Sequence, residues 1–535
     1  MRDKKDLPAH TLTIYLIKES LKDFDSVIDE DNMSSFRKVD SDEASADNEL
    51  QRIYLKNHEI GPPDWARLLR VDANRTTASG LCLRKVEGRI IAIAFGSSGR
   101  FLINEAAIQR RFGLMVVLNS IEPDSLRSID KIVLSESGLQ SRTQSSQPSD
   151  SQAFGVDIQQ DLVRNVSGRA ANRNLYGSTI VGKDSLTVTI KTDLEHLDAH
   201  LKEYLTAFSR TDYKKDFSFI DNIKPCDSMR SVELDILLAT KLHDMDIALK
   251  YWLTVPDIIA WEDHSGFLYS NSNKDDDALD DISFETFRQA MKPSDIIDVE
   301  YLKKNKVRRI DSEGKKTRDT WSIYKCLYAE MKHKNSIGQE ELYVLSDGSW
   351  YSVNQSFKDS VQSNYKTISE KATTVAFEDY ITGEREDIYN ERLAKALGGY
   401  LFDKQNITIT GRSPFEFCDV ATSDKKLIHI KRYSGSSALS HLFNQGYVSA
   451  NLMLEPEIRK KINDKKIDGF SFGNPDDEIT TKDYEIVYGI ISNENSLLEI
   501  PFFSKIMLTK THKDLRNLGY DVSLVKIKHK VAGTK

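Results

Sequence analysis

Asp419, His429 and Lys431 are the residues whose types and spacing are best suited to chemistry. They lie in 415-FEFCDVATSDKKLIHIKR-432, where two short apolar stretches flank a polar turn. A carboxylate ends the first stretch. The second carries a lysine two residues beyond a histidine. Strand side chains repeat every two residues, so His429 and Lys431 are expected on one face. Phosphodiester hydrolysis needs such a set: a carboxylate to hold Mg²⁺ or Mn²⁺, a second ligand to fix the ion, and a cation beside the attacking water.

Each residue also has a plain structural reading. Asp419 is a metal ligand or a strand-end aspartate that starts a turn. Phe415 and Phe417 share its face in a continuous strand, whereas Glu416 and Cys418 point the other way. His429 offers one neutral nitrogen, which suits Mn²⁺ better than Mg²⁺ or serves as a general base near neutral pH. Otherwise it is a half-buried histidine hydrogen-bonded within a sheet. Lys431, beside Leu427, Ile428 and Ile430, must be solvated, paired or functional. In the functional reading it orients water and stabilises charge on the scissile phosphate.

Further candidates flank this segment. The helix in 384-EREDIYNERLAKALGGYLF-402 offers Glu391 as a ligand. A helical wheel sets it nearly opposite Tyr389, Leu393, Ala396 and Leu397, with Glu386 nearer the apolar face as the reserve. After Lys431, Ser436, Ser437, Ser440 and Gln445 could reach a phosphate or the lysine, although Ser437 also reads as an N-cap. Arg432 points away from Lys431 and suits a surface or phosphate contact. Arg459, Lys460, Lys461, Lys465 and Lys466 form a basic run fit for nucleic-acid phosphates or simply for solvation. Lys505, Lys510, Lys513 and Arg516 add positive charge further on.

These residues sit in a stretch that reads as helix-strand-strand-helix-strand-helix-strand. Helices are expected near 384–398, 437–453 and 502–518, with strands at 406–410, 415–420, 426–432, 484–492 and 521–529. Such alternation implies a mixed sheet covered on both faces, an α/β unit. Four regions follow: an N-terminal α+β domain over 1–135, a Ser/Gln-rich linker or loop over 136–153, a middle α+β domain over 154–355, and the site-bearing domain over 371–531. In the first, a strand is expected at 10–18, a helix near 20–27, a hairpin over 80–95 turning at Gly88, a helix at 104–112 from an Asn104 cap to Gly113, and a strand at 114–118. In the middle, 185–191 reads as a strand, 193–208 as a helix, and 341–353 as a hairpin turning at Asp347-Gly348. The acidic run 275–281 lacks EF-hand spacing and reads as a solvated loop.

The order Glu, Asp, then lysine two residues past a ligand resembles the PD-(D/E)xK nuclease core, with histidine where that superfamily usually has Asp or Glu. The helix ending in Gly-Tyr before the first core strand looks like the first motif of Mrr-like nucleases. A glutamine in the helix after the lysine, here Gln445, is a recurrent auxiliary position in that superfamily. The resemblance covers about 371–535. It implies a restriction-endonuclease-like fold, Mg²⁺ or Mn²⁺ as cofactor, and DNA as substrate. The segment HIKRYSGSSALSHLFNQG also makes the chain similar to an uncharacterised bacterial family of sporadic distribution, of the kind found among phage-defence genes. That implies an antiviral role.

Composition narrows the class. The 535 residues are 39% hydrophobic, enough for several globular cores. The net charge of −8 argues against a chain coated by nucleic acid, and the acidic excess lies in the first two-thirds, so any nucleic-acid site is a local patch in the C-terminal third. No apolar run is long enough to cross a bilayer, and MRDKKDLPAH lacks a secretory core, so no membrane partner is expected and the cytoplasm is. Cys82, Cys226, Cys326 and Cys418 are widely spaced, signalling neither zinc nor a disulfide framework. Gly96-Ser97-Ser98-Gly99-Arg100 lacks the ending of a phosphate loop and reads as a turn. Two readings stand: a metal-dependent nuclease, and a catalytically degenerate nuclease scaffold that binds nucleic acid or senses a partner. Both leave open a homo-oligomer or a defence-system partner protein.

Overall fold

A computed structural model describes residues 7–39, 50–60, 75–133, 140–151, 153–156, 161–243, 250–257, 259, 264–271, 278–292, 294–312, 314–335, 337–408, 415–433, 436–492 and 498–530. The chain divides into two compact units, one of residues 1–132 and 140–221, the other of 133–139 and 222–535.

The first unit is built on a ten-stranded sheet. The opening strand Ala9–Leu16 lies at its centre, between Arg89–Phe95 and Ser185–Lys191, both antiparallel to it. The hairpin Arg75–Val86/Arg89–Phe95 turns at Glu87 and Gly88, both with positive φ, as a two-residue type I′ connection requires. Four expectations fail here. Residues 20–27 form only a 3-10 turn over Asp25–Val27. The apolar run near 114–118 is a helix, Phe112–Leu118, rather than a strand, and Glu105–Ala107 is a 3-10 turn capped by Asn104. A short apolar run fits a buried helix as well as a strand, and Gly113 decides it. Gly113 lies within that helix, where a Cβ would stand 1.9 Å from the Ser185 carbonyl oxygen. The Ser/Gln-rich stretch is not a plain linker, because Gln140–Ser149 is the edge strand beside Ile121–Val133. Its ladder comes from backbone pairing, which polar side chains do not prevent. The two compact units part at 221/222.

The second unit carries three larger sheets. One is five-stranded and antiparallel, and includes the hairpin Glu340–Ser346/Ser349–Val353, which turns at Asp347 and Gly348 with positive φ. A second is three-stranded (Gly266–Tyr269, Lys306–Ile310, Lys316–Ser322). The acidic run lies partly outside the described residues, at 275–277.

The third sheet positions the candidate site. Its strand order is Tyr380–Ile381, Asp521–Lys530, Glu485–Ser492, Lys426–Arg432, Val420–Ala421, Tyr400–Leu401. The first four are mutually parallel and the last two pair antiparallel. The lysine strand, Lys426–Arg432, is central and buried over its first five residues. Alternation sorts its side chains. Ile428 and Ile430 pack with Tyr389, Leu393 and Ala394 of the entry helix, Glu386–Leu397. Leu427 packs on the other face with Leu439, Leu442 and Phe443 of the helix Ser436–Leu452, and with Leu508 and Leu515 of the helix Phe502–Asn517. Gly398, with φ 58°, ends the entry helix in the left-handed conformation that glycine adopts most cheaply.

One departure from the expected strands matters most. The stretch 415–420 is not one strand. Phe415–Glu416 pairs with Asn406–Ile407, and Val420–Ala421 joins the main sheet, leaving Asp419 in the break. The expected strand 406–410 is described only in part, since 409 and 410 lie outside the described residues.

Candidate functional site

Asp419 sits where two strands separate. Its N–H donates to the Ile428 carbonyl at 2.9 Å, extending the ladder by one rung. Beyond that rung the chain turns away, and its carboxylate takes over, accepting the Ile430 N–H at 2.6 Å. The side chain thus serves as the missing backbone acceptor, which fixes its orientation. The residue is 5% exposed. Burial pushes its carboxyl up to about 8, the Ile430 N–H opposes that rise, and the nearby carboxylates of Asp403, Glu386 and Glu416 add to it.

Lys431 lies at the end of the same strand. Its Nζ is 2.6 Å from Oε1 of Glu386, and the other oxygen of Glu386 accepts the Arg432 N–H at 2.9 Å. Burial pulls the amine down, but the Glu386 pair outweighs it, with smaller help from Asp419 and Glu416, and the amine stays above its ordinary value. Lys431 is therefore a permanent cation near neutral pH, not a proton acceptor. Asp419 and Lys431 face a common cluster of acids.

The remaining candidates separate. Glu386, at the first turn of the entry helix, belongs to the cluster. Glu391 does not take part in these contacts. It pairs with Lys395 one turn along the helix at 2.7 Å, as its position opposite the apolar face dictates. His429 is fully buried, its ring lies 6.1 Å from that of Tyr488, and neither ring nitrogen has a hydrogen-bond partner among the described residues. Burial pulls its pKa down to about 3, so it is a neutral core side chain. Alternation puts His429 on the Leu427 face, away from the entry helix. Lys431 reaches Glu386 only because it lies at the strand's end on a long, flexible side chain.

Gln445 donates to Oε2 of Glu416 at 3.2 Å, and Ser449 donates to the Glu416 carbonyl at 3.2 Å. Glu416, expected to point away in a continuous strand, instead faces the site because the strand is broken. The side chains of Ser436, Ser437 and Ser440 lie outside the described residues.

Two participants carry weaker signals in the sequence. Asn390 is fully buried and its Nδ2 lies 3.4 Å from Oδ1 of Asp419. Asp403 hydrogen-bonds to Asn390, and its N–H donates to the Asp419 carbonyl at 3.1 Å. Asn390 could be found as a polar residue in register with Leu393, Ala394 and Leu397, a lone amide on an apolar stripe. Asp403 has only its place just after the strand Tyr400–Leu401. Among the described residues, no three Asp, Glu, His or Cys side chains converge closely enough to hold a metal ion by themselves.

The basic run resolves into different roles. Arg459 is 3% exposed, and its guanidinium donates to the carbonyls of Met453, Leu454, Pro475 and Asp477. It clamps a loop and is not a phosphate contact. It lines a cavity of about 310 Å³ with Tyr400, Lys425, Phe470 and Tyr484, near the start of the lysine strand rather than beside Asp419. Lys461 pairs with Glu457 at 3.0 Å, whereas Lys460 and Arg432 are exposed. Lys505 is buried between Glu499 and Gln362 and is likewise no surface cation.

Among the described residues no helix is long and apolar enough to cross a membrane. No curated protein and no solved structure matches the chain. A family model described as a family of unknown function, DUF6119, matches residues 12–528, nearly the whole length, and the chain therefore belongs to that family.

Proposed function

We propose that the C-terminal region is a metal-dependent nuclease that hydrolyses phosphodiester bonds of DNA, on a sheet of the restriction-endonuclease-like, PD-(D/E)xK kind. The observation that carries this reading is the convergence of Asp419, Lys431 and Glu386 at one end of the lysine strand, from segments far apart in sequence. Asp419 would hold Mg²⁺ or Mn²⁺, while both oxygens of Glu386 are engaged by Lys431 and the Arg432 N–H. The acids present fit such an ion in kind, because carboxylate oxygens are the donors hard cations prefer. The ion would supply charge stabilisation at the phosphate and a more acidic bound water. Lys431, protonated, positions the attacking water and stabilises negative charge on the phosphate. Gln445 steadies Glu416. Arg432 and Lys460 are exposed cations suited to the DNA backbone.

An antiviral role in a reducing cytoplasm, alone or with a partner protein, belongs to the same proposal. The four cysteines are free, and Cys82, Cys326 and Cys418 are buried. A second reading, a nucleic-acid-binding or sensing protein without catalysis, is favoured by the seclusion of His429, which removes a ligand from the expected set. Plasmid, single-stranded DNA and RNA incubated with the protein and Mn²⁺ separate the two. Cutting supports the nuclease. Retained binding without cutting supports the second reading.

A further inference from the structure

We infer that Asp403 is the second carboxylate of a divalent-cation site, with the amide oxygen of Asn390 as a third donor, and that the two replace the ligand His429 does not provide. The inference rests on the nuclease reading for its biological meaning; the cation site stands on geometry.

The main-chain carbonyl of Asp419 accepts two N–H groups, from Phe402 at 2.8 Å and from Asp403 at 3.1 Å. Residue 403 is thereby clasped against residue 419, although 16 positions separate them in sequence. Asn390 joins the two acids, with one hydrogen bond to Asp419 at 3.4 Å and another to Asp403. Its side chain is fully buried between the entry helix and the sheet, and its Oδ1 has no partner among the described residues. A buried polar oxygen without a partner costs roughly 1–3 kcal/mol and is uncommon in native folds. Nδ2 faces the acids in the metal-free site; exchange of the amide's oxygen and nitrogen is nearly isosteric, so an ion lying between the acids would turn the oxygen toward itself.

Two carboxylates and one amide oxygen, completed by water, form a donor set for Mg²⁺ or Mn²⁺. They also account for the lack, among the described residues, of three converging acidic, thiol or imidazole side chains, because the third donor is an amide. The lysine strand cannot supply a carboxylate from position 429, whose ring is enclosed against Tyr488. Asp403 approaches Asp419 from the turn after the strand Tyr400–Leu401 instead.

The test is calorimetric titration of Mn²⁺ into the full chain and its variants, with DNA cleavage read in parallel. Asp403→Asn should weaken Mn²⁺ binding at least tenfold, while the metal-free melting temperature is unchanged or higher. Asp403→Cys should lose Mn²⁺ affinity and bind Cd²⁺ more tightly than the wild type does, since a thiolate prefers the softer ion. A residue that only positions Asp419 would not show that reversal. Equal Mn²⁺ affinity in Asp403→Asn and wild type, no gain for Cd²⁺ in Asp403→Cys, or no Mn²⁺ binding by the wild type overturns the inference. Wild-type protein that binds Mn²⁺ through Asp403 but leaves DNA intact keeps the cation site and removes the nuclease reading. Cutting unchanged in Asp403→Asn does the reverse.

Discussion

Lys431 Nζ lies 2.6 Å from Oε1 of Glu386, and the second oxygen of that carboxylate caps the N–H of Arg432 at 2.9 Å. One acid thus neutralises the lysine and terminates its strand. The entry helix is tied to the end of the lysine strand through Glu386, the reserve ligand of the sequence reading, and not through Glu391. Lys431 is 34% exposed at its side chain, so the pair is worth little as stability, and its importance is the placement of the amine.

Asp419 makes the metal-free fold sensitive to alkali. Its carboxyl is pushed by burial from 3.8 up to about 8. Between these values the folded chain holds a proton that the unfolded chain has released, so stability falls as pH rises through this window. Asp419→Asn keeps an oxygen for the Ile430 N–H and removes the charge. In metal-free buffer it should match wild type near pH 4 and exceed it by on the order of a few kcal/mol near pH 9. Urea denaturation at both pH values measures the difference, and an Asp419→Asn chain less stable than wild type at pH 9 contradicts it.

His429 acts at the other end of the pH scale. Its folded value of about 3 lies below the ordinary 6.5, so the unfolded chain takes up a proton first as pH falls. Its contribution is present above 6.5 and is lost towards 3. His429→Leu removes two unpartnered buried nitrogens at similar volume. It should be neutral or stabilising by about 1 kcal/mol at pH 7, should flatten the acid limb, and should leave Mn²⁺ affinity unaltered. Loss of Mn²⁺ binding in this variant would return the histidine to the ligand set.

Arg459 and Lys460 are neighbours with different fates. Arg459→Ala strands four carbonyl acceptors in a buried setting and should cost about 2–4 kcal/mol by chemical denaturation. Lys460→Ala should stay within about 0.5 kcal/mol in stability and, if it contacts DNA, lower the salt dependence of binding.

Gly113→Ala tests the first unit. A Cβ would stand 1.9 Å from the Ser185 carbonyl, so helix and strand must part. A loss of about 1–3 kcal/mol or more is expected from the thermal midpoint, against about 1 kcal/mol for Gly155→Ala, where only the left-handed φ of 58° opposes the added Cβ.

How far the sequence revealed this arrangement depended on what stabilised each element. The lysine strand was legible residue for residue because alternation places Leu427 and Ile428 on opposite faces, each against its own helix. The hairpin turns at Gly88 and Asp347-Gly348 were legible because positive φ restricts residue choice. Gln140–Ser149 was not, since its ladder depends on a partner strand rather than its own side chains. Glu416 was misplaced because a break at Asp419 reverses its face, whereas Glu391 lies opposite the apolar face as the helical wheel set it, which excludes it as a ligand. Arg459 looked like a phosphate contact because charge says nothing of burial.

The most direct measurement is Mn²⁺-dependent conversion of supercoiled plasmid to nicked or linear forms by the purified full chain, beside Lys431→Ala and Asp419→Asn. The account expects cutting by wild type, abolished by chelation, and a fall of at least about a hundredfold in each variant with the fold retained. Undiminished cutting by Lys431→Ala, or none by the wild type on any nucleic acid offered, would contradict it.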